Sequence, residues 1–114
     1  MNAPVIGGPE LRRRLAAGER LWLVHAAGPV SFRSAHLPGA VAFPDDRHLE
    51  RMLRRDDHVV VYGESHDDLR SRELAAGLHA RGYRHARWYA GGLTEWRASG
   101  APVEGGGARP PSRP

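Results

Sequence analysis

The chain has 114 residues, 40% of them hydrophobic, which suits one small domain built on one core. Cysteine is absent, and that excludes disulfides, thiolate metal sites and any cysteine nucleophile. The formal net charge is +4, carried by arginine with no lysine. The arginines are spread along the chain, with clusters only at Arg12 to Arg14 and Arg54-Arg55, so they read as solvated helix faces and no nucleic-acid surface is expected.

Met1 to Gly8 reads as a flexible lead, without the charged-then-apolar pattern of a signal peptide. A cytoplasmic location is the default expectation, since no apolar run approaches the roughly 20 residues of a membrane span and no membrane partner is expected. Pro9-Glu10-Leu11 starts a helix, with Leu11 and Leu15 on one face and Gly18 as its stop. Leu21 to Val24 suits a strand buried on both faces, and His25 to Pro29 a turn. Val30 to Ser34 fits a short helix. Pro38-Gly39 turns the chain into a short strand, Ala40 to Phe43, closed by Pro44.

Asp45 to Arg55 has helical spacing, with Asp45 or Asp46 placed to cap it. His58 to Tyr62 is a β-branched run and the expected central strand. Ser71 to Arg81 is a helix with Leu74 and Leu78 inward, Ala86 to Tyr89 a strand, and Leu93 to Ser99 a last short helix. From Gly105 the composition turns to Gly, Pro, Ser and Arg, which reads as a disordered tail. The main domain therefore spans 9–104. Its strands alternate with helices, which predicts an α/β fold with a central, mostly parallel sheet flanked by helices on both faces.

The chemistry is expected at 58–72, where a strand breaks at Gly63 into a polar loop that opens a helix. Backbone N–H groups at a helix N-terminus, on the carboxyl edge of a parallel sheet, form a natural place for an anion or a reactive group. Around it stand His36-Leu37-Pro38-Gly39-Ala40, Val59-Val60-Val61-Tyr62, Arg70-Ser71, Gly82-Tyr83 and the run Tyr89 to Trp96. In that order they resemble the rhodanese-like domain family. The first is similar to the family's Gly-His-Ile-Pro-Gly-Ala signature, with Ala35 in place of the leading Gly. Val59-Val60-Val61-Tyr62 looks like the strand leading to the active loop, Arg70-Ser71 like the end of that loop, and Gly82-Tyr83 like the family's helix exit. Tyr89-Ala90-Gly91-Gly92-Leu93-Thr94-Glu95-Trp96, with Gly100-Ala101-Pro102-Val103 after it, is similar to the C-terminal signature.

The resemblance implies a sulfurtransferase ancestry, in which a cysteine directly after the Tyr carries sulfur as a persulfide held by loop N–H groups. That position is Gly63 here, so no catalytic residue is assigned. The equivalent active loop is Gly63, Glu64, Ser65, His66, Asp67, Asp68, Leu69 and Arg70, longer than the usual sulfurtransferase loop. The family's acid after the first strand falls at His25 and the nearby Arg at Ala27. Glu64, Asp67 and Asp68 against Arg70 give the loop a charge that repels anions.

The loop residues also allow other chemistry. Ser65 with His66 and an Asp suggests a nucleophile and base, but Ser65 to Asp68 also fits a capping box, which is favoured. His36, His66, Asp67 and Asp68 suit a divalent metal by type, yet no metal and no cofactor is expected. Arg70 is expected to pair with Glu64, Asp67 or Asp68. Trp96 reads as core and Trp88 as partly exposed, and the tail from Arg109 to Pro114 as an unstructured end before a polyproline ligand. The favoured function is a binding or regulatory module inactive in sulfur transfer, whose partner is a protein or a small anionic ligand. The alternatives are a sulfur relay with a partner's cysteine, and a hydrolytic or metal-assisted enzyme using Glu64 to Asp68.

Overall fold

The computed structural model describes residues 3–43 and 46–105. Its strands are β1 (Val5–Ile6), β2 (Trp22–His25), β3 (Val41–Ala42), β4 (Val59–Tyr62) and β5 (Ala86–Tyr89). Its helices are α1 (Gly8–Ala16), α2 (Pro29–Ser34), α3 (Asp46–Met52), α4 (Leu69–Ala80) and α5 (Gly92–Ala98). All strands pair in parallel in the order β1-β5-β4-β2-β3. The central strand is β4, and all four of its residues are buried. A run of β-branched residues suits that place because both faces of a covered parallel sheet are apolar.

Side chains alternate across the sheet, and the core divides accordingly. Val59 and Val61 join Val24, Leu49, Leu53, Ala75, Leu78 and Tyr83, so α3 and α4 cover that face. Val60 and Tyr62 join Leu11, Leu23, Leu37, Leu93 and Trp96, so α1 and α5 cover the other. The register sets His25 beside Tyr62 and Tyr62 beside Tyr89 at the carboxyl edge. No described helix is long and apolar enough to cross a membrane.

Two expectations are corrected. Val5 and Ile6, assigned to a flexible lead, form β1 against Trp88 and Tyr89. Ile6 is buried there at 1% exposure, and the Trp88 N–H donates to Pro4 O at 2.8 Å. His25, assigned to a turn, is the last residue of β2, because pairing with Tyr62 extends the ladder by one residue. The Gly- and Pro-rich segment after Gly105 lies outside the described residues, as do Pro44 and Asp45.

Candidate functional site at the carboxyl edge of the sheet

The loop after β4 is organised by one carboxylate. Asp68 caps α4, its Oδ1 accepting the N–H groups of Arg70 at 3.0 Å and Ser71 at 3.2 Å. Its Oδ2 accepts the Glu64 N–H at 3.3 Å from the other end of the loop. A carboxylate suits this place, since it gathers several donors at once and its charge complements the helix N-terminus. The expected cap was Ser65, and this is a correction. Among the described residues, the Ser65 Oγ accepts the Asp67 N–H alone, at 3.3 Å, inside the turn that precedes the cap. α4 consequently starts at Leu69 rather than Ser71.

The Asp68 carboxylate also explains the glycine. A β-carbon on Gly63 would lie 1.8 Å from Asp68 Oδ2, 2.4 Å from Cγ and 2.9 Å from Cβ. Any side chain at position 63 needs the space that this carboxylate fills. From the opposite side, α5 clamps the same backbone. The Leu93 N–H donates to Gly63 O at 2.9 Å and the Thr94 N–H to Glu64 O at 2.8 Å. This approach requires Gly92, whose φ is +64° and whose β-carbon would sit 2.6 Å from Gly63 O.

A second network runs from the core to the loop. The buried Tyr62 hydroxyl accepts the Leu37 N–H at 3.0 Å and lies 2.9 Å from His25 Nδ1. His25 Nε2 lies 3.0 Å from Ser31 Oγ, and the Ser31 hydroxyl donates to Glu64 Oε2. Hydrogen-bond accounting fixes the proton order. Burial raises the Tyr62 pKa, so the phenol keeps its hydrogen. That hydrogen has His25 Nδ1 as its acceptor, which leaves the His25 proton on Nε2, facing Ser31. Ser31 then accepts from His25 and donates to Glu64. Burial lowers the His25 pKa, and His36 adds to the effect, while Glu64 and Asp68 oppose it. A neutral imidazole that donates to a serine is not a base for that serine, so Ser31, His25 and Tyr62 do not form a nucleophile triad.

The predicted site residues fall into separate environments. His66 and Asp67 are 77% and 84% exposed and pair with each other at 3.3 Å, so Ser65 and His66 are not joined as nucleophile and base. Leu69 is 58% exposed. Arg70 was expected to pair with a loop acid. Among the described residues its guanidinium makes no such ion pair, because Glu64 is taken by Ser31, Asp67 by His66 and Asp68 by backbone N–H groups. The His36 Nδ1 is engaged 2.7 Å from Phe32 O, and no group of three His, Asp or Glu side chains placed to hold a metal ion occurs among the described residues. Trp96 is core, donating to Pro102 O at 2.7 Å. Trp88 is half-buried, donating to Ser71 Oγ at 2.9 Å under Arg72. Sequence reasoning missed Ser31, Tyr62 and the wire through His25. The available signal was a histidine ending a buried strand beside a tyrosine ending its neighbour.

Residues 9–99 match the family described as Rhodanese-like domain. The chain belongs to the rhodanese-like domain family. A solved rhodanese-like domain from Anabaena sp. superposes on it with a TM-score of 0.82 at 26% identity, covering 97% of this chain and 86% of that one. A human single-domain sulfurtransferase gives a TM-score of 0.71 at 25% identity, covering 84% of this chain and 96% of that one. A thiosulfate sulfurtransferase from Pseudomonas aeruginosa, at 19% identity and a TM-score of 0.72, shows the shared fold over 94% of this chain and 21% of that one. No curated protein matches the sequence. The rhodanese-like domain described above has no cysteine anywhere in its chain. Gly63 follows the last residue of β4, where the motif resemblance places the family's nucleophile.

Proposed function

We propose that this rhodanese-like domain does not transfer sulfur and acts as a binding or regulatory module through the carboxyl edge of its sheet. The observation that carries the reading is the Asp68 carboxylate. It occupies the space above Gly63 and takes the N–H groups of Glu64, Arg70 and Ser71. A persulfide needs both that space and those donors, so the cradle is filled as well as lacking its thiol. An intrinsic carboxylate in the cradle also disfavours a small anionic ligand there, which leaves a protein as the preferred partner. The hydrolase alternative loses support from the exposed His66, which pairs with Asp67 and not with Ser65, and from the direction of the Ser31 hydrogen bonds.

A thiosulfate-to-cyanide assay on wild type, Gly63→Cys and Gly63→Cys/Asp68→Ser tests the reading. Wild type and the single variant stay silent, and only the double variant, which vacates the cradle and keeps a capping hydroxyl, gains a persulfide. Turnover by wild type would sink the reading. Affinity capture with wild type and with Glu64→Arg/Asp67→Arg in parallel tests the module. A partner lost by the loop variant supports it, and identical capture by both removes the loop as the binding edge.

A further inference from the structure

Among the described elements, α2 is the one most dependent on polar ties. It has no buried residue, and Val30 is 71% exposed. Six residues are too few to hold a helix by themselves. What fixes it is concentrated at two neighbouring side chains. Ser31 Oγ sits between His25 Nε2 at 3.0 Å and the Glu64 carboxylate. The Phe32 ring stacks on His36 at 3.8 Å between centroids and meets His25 edge-on at 5.5 Å. The helix enters at Gly28, whose φ is +99° with open space around it, so that end is a point where a short segment can pivot, while the other end runs into the buried Ala35.

We propose that α2 is a flap over the carboxyl edge of the sheet, latched by Ser31 to Glu64 and His25, and released when the Glu64 carboxylate is withdrawn. Glu64 is suited to be the fixed post. Its carbonyl takes the Thr94 N–H and its N–H goes to Asp68, so its backbone is held from two sides. Ser31 is the moving part, since among the described residues the α2 backbone is tied outside its own turn only at Phe32 O, which lies 2.7 Å from His36 Nδ1 just after the helix. When a cationic group draws Glu64 away, the Ser31 hydroxyl loses its acceptor, and the hold on α2 weakens to the His25 bond to Ser31, the His36 bond to Phe32 O and the Phe32 ring contacts. Opening uncovers His25, which is 1% exposed in the closed form, and with it the Tyr62 hydroxyl. The titratable groups facing the latch are His25 and Tyr62 in the sheet, His36 after α2, and Glu64 and Asp68 in the loop. The flap operates whether or not the domain transfers sulfur.

Amide hydrogen exchange followed by NMR on the full chain tests this directly. In the closed form the Phe32 N–H donates to Gly28 O and the Ala35 N–H to Ser31 O, each at 3.0 Å. In Ser31→Ala and in Glu64→Ala both amides exchange about tenfold faster or more, while the β4 amides keep their rates. Asp67→Asn, a neighbouring acid that does not touch Ser31, leaves α2 unchanged. Unaltered α2 rates in both latch variants overturn the proposal. So does acceleration shared with β4, which reports general loosening, and so does α2 exchange in wild type already as fast as in an unstructured segment.

Discussion

At the scale of single residues, Gly63 and Asp68 form one feature. The glycine leaves a space and the aspartate fills it with an anion tied at both ends of the loop. A cysteine introduced at position 63 meets that carboxylate, and a thiol beside a carboxylate in a buried place resists ionisation. Changing the glycine alone is therefore not expected to give a thiolate at position 63. The sequence shows at once that the chain has no cysteine, but not that a carboxylate fills the space over Gly63. Ser65 to Asp68 fits a capping box, and which residue caps depends on how the loop folds before the helix starts. Asp68→Ala loses a charged N-cap and leaves the Glu64, Arg70 and Ser71 N–H groups without their acceptor. A loss of about 1–2 kcal/mol is expected, read from the urea midpoint with the slope unchanged. An unchanged midpoint would show that water serves those donors equally well.

At the scale of elements, the unit to consider is β2 with α2. A continuous apolar run marks β2 in the sequence, but its last residue is a histidine that looks like the start of a turn. Parallel pairing with Tyr62 draws it into the strand, and the pairing partner is invisible to any local pattern. The same burial sets a pH dependence. The His25 pKa is lowered chiefly by burial, and the His58 pKa is lowered too, by burial first and then by the stacked His85. In the unfolded chain both take up a proton near the ordinary value of 6.5, while in the folded chain both resist it. The unfolded state then binds more protons below that value, so stability is complete above about pH 6.5 and declines as pH falls through the window beneath it. Urea midpoints taken at pH 8 and pH 5.5 read this slope. His25→Gln keeps a polar side chain without a titration and is expected to flatten the decline relative to wild type. An equal slope in the variant would place the dependence elsewhere, with the carboxylates or His58.

At the scale of the whole molecule, the alternation of strands and helices made the parallel, two-sided sheet readable, and the apolar periods of α1, α3 and α4 assigned their inward faces. What escaped was the first strand. Val5-Ile6 is too short to carry a period, and Gly7 and Gly8 next to it look like a loop before the helix start at Pro9. Its identity comes from β5, whose Val5 and Ile6 partners stand opposite Trp88 and Tyr89. The core shows that this pairing matters. Ile6 is packed with Leu11, Tyr89, Leu93 and Trp96 on the face that α1 and α5 cover. In a flexible lead, Ile6→Ala would leave stability within about 0.5 kcal/mol of wild type. In a buried edge strand the same change opens a cavity between α1 and α5 and costs about 2–5 kcal/mol. The two values are far enough apart for one urea titration to separate them. Val5→Ala supplies the internal reference, because Val5 points outward at 60% exposure and its loss leaves the midpoint nearly where it was. A large effect at position 6 with little at position 5 fits a strand with one face inward. Small effects at both would return these residues to the lead and leave β5 as the true edge of the sheet.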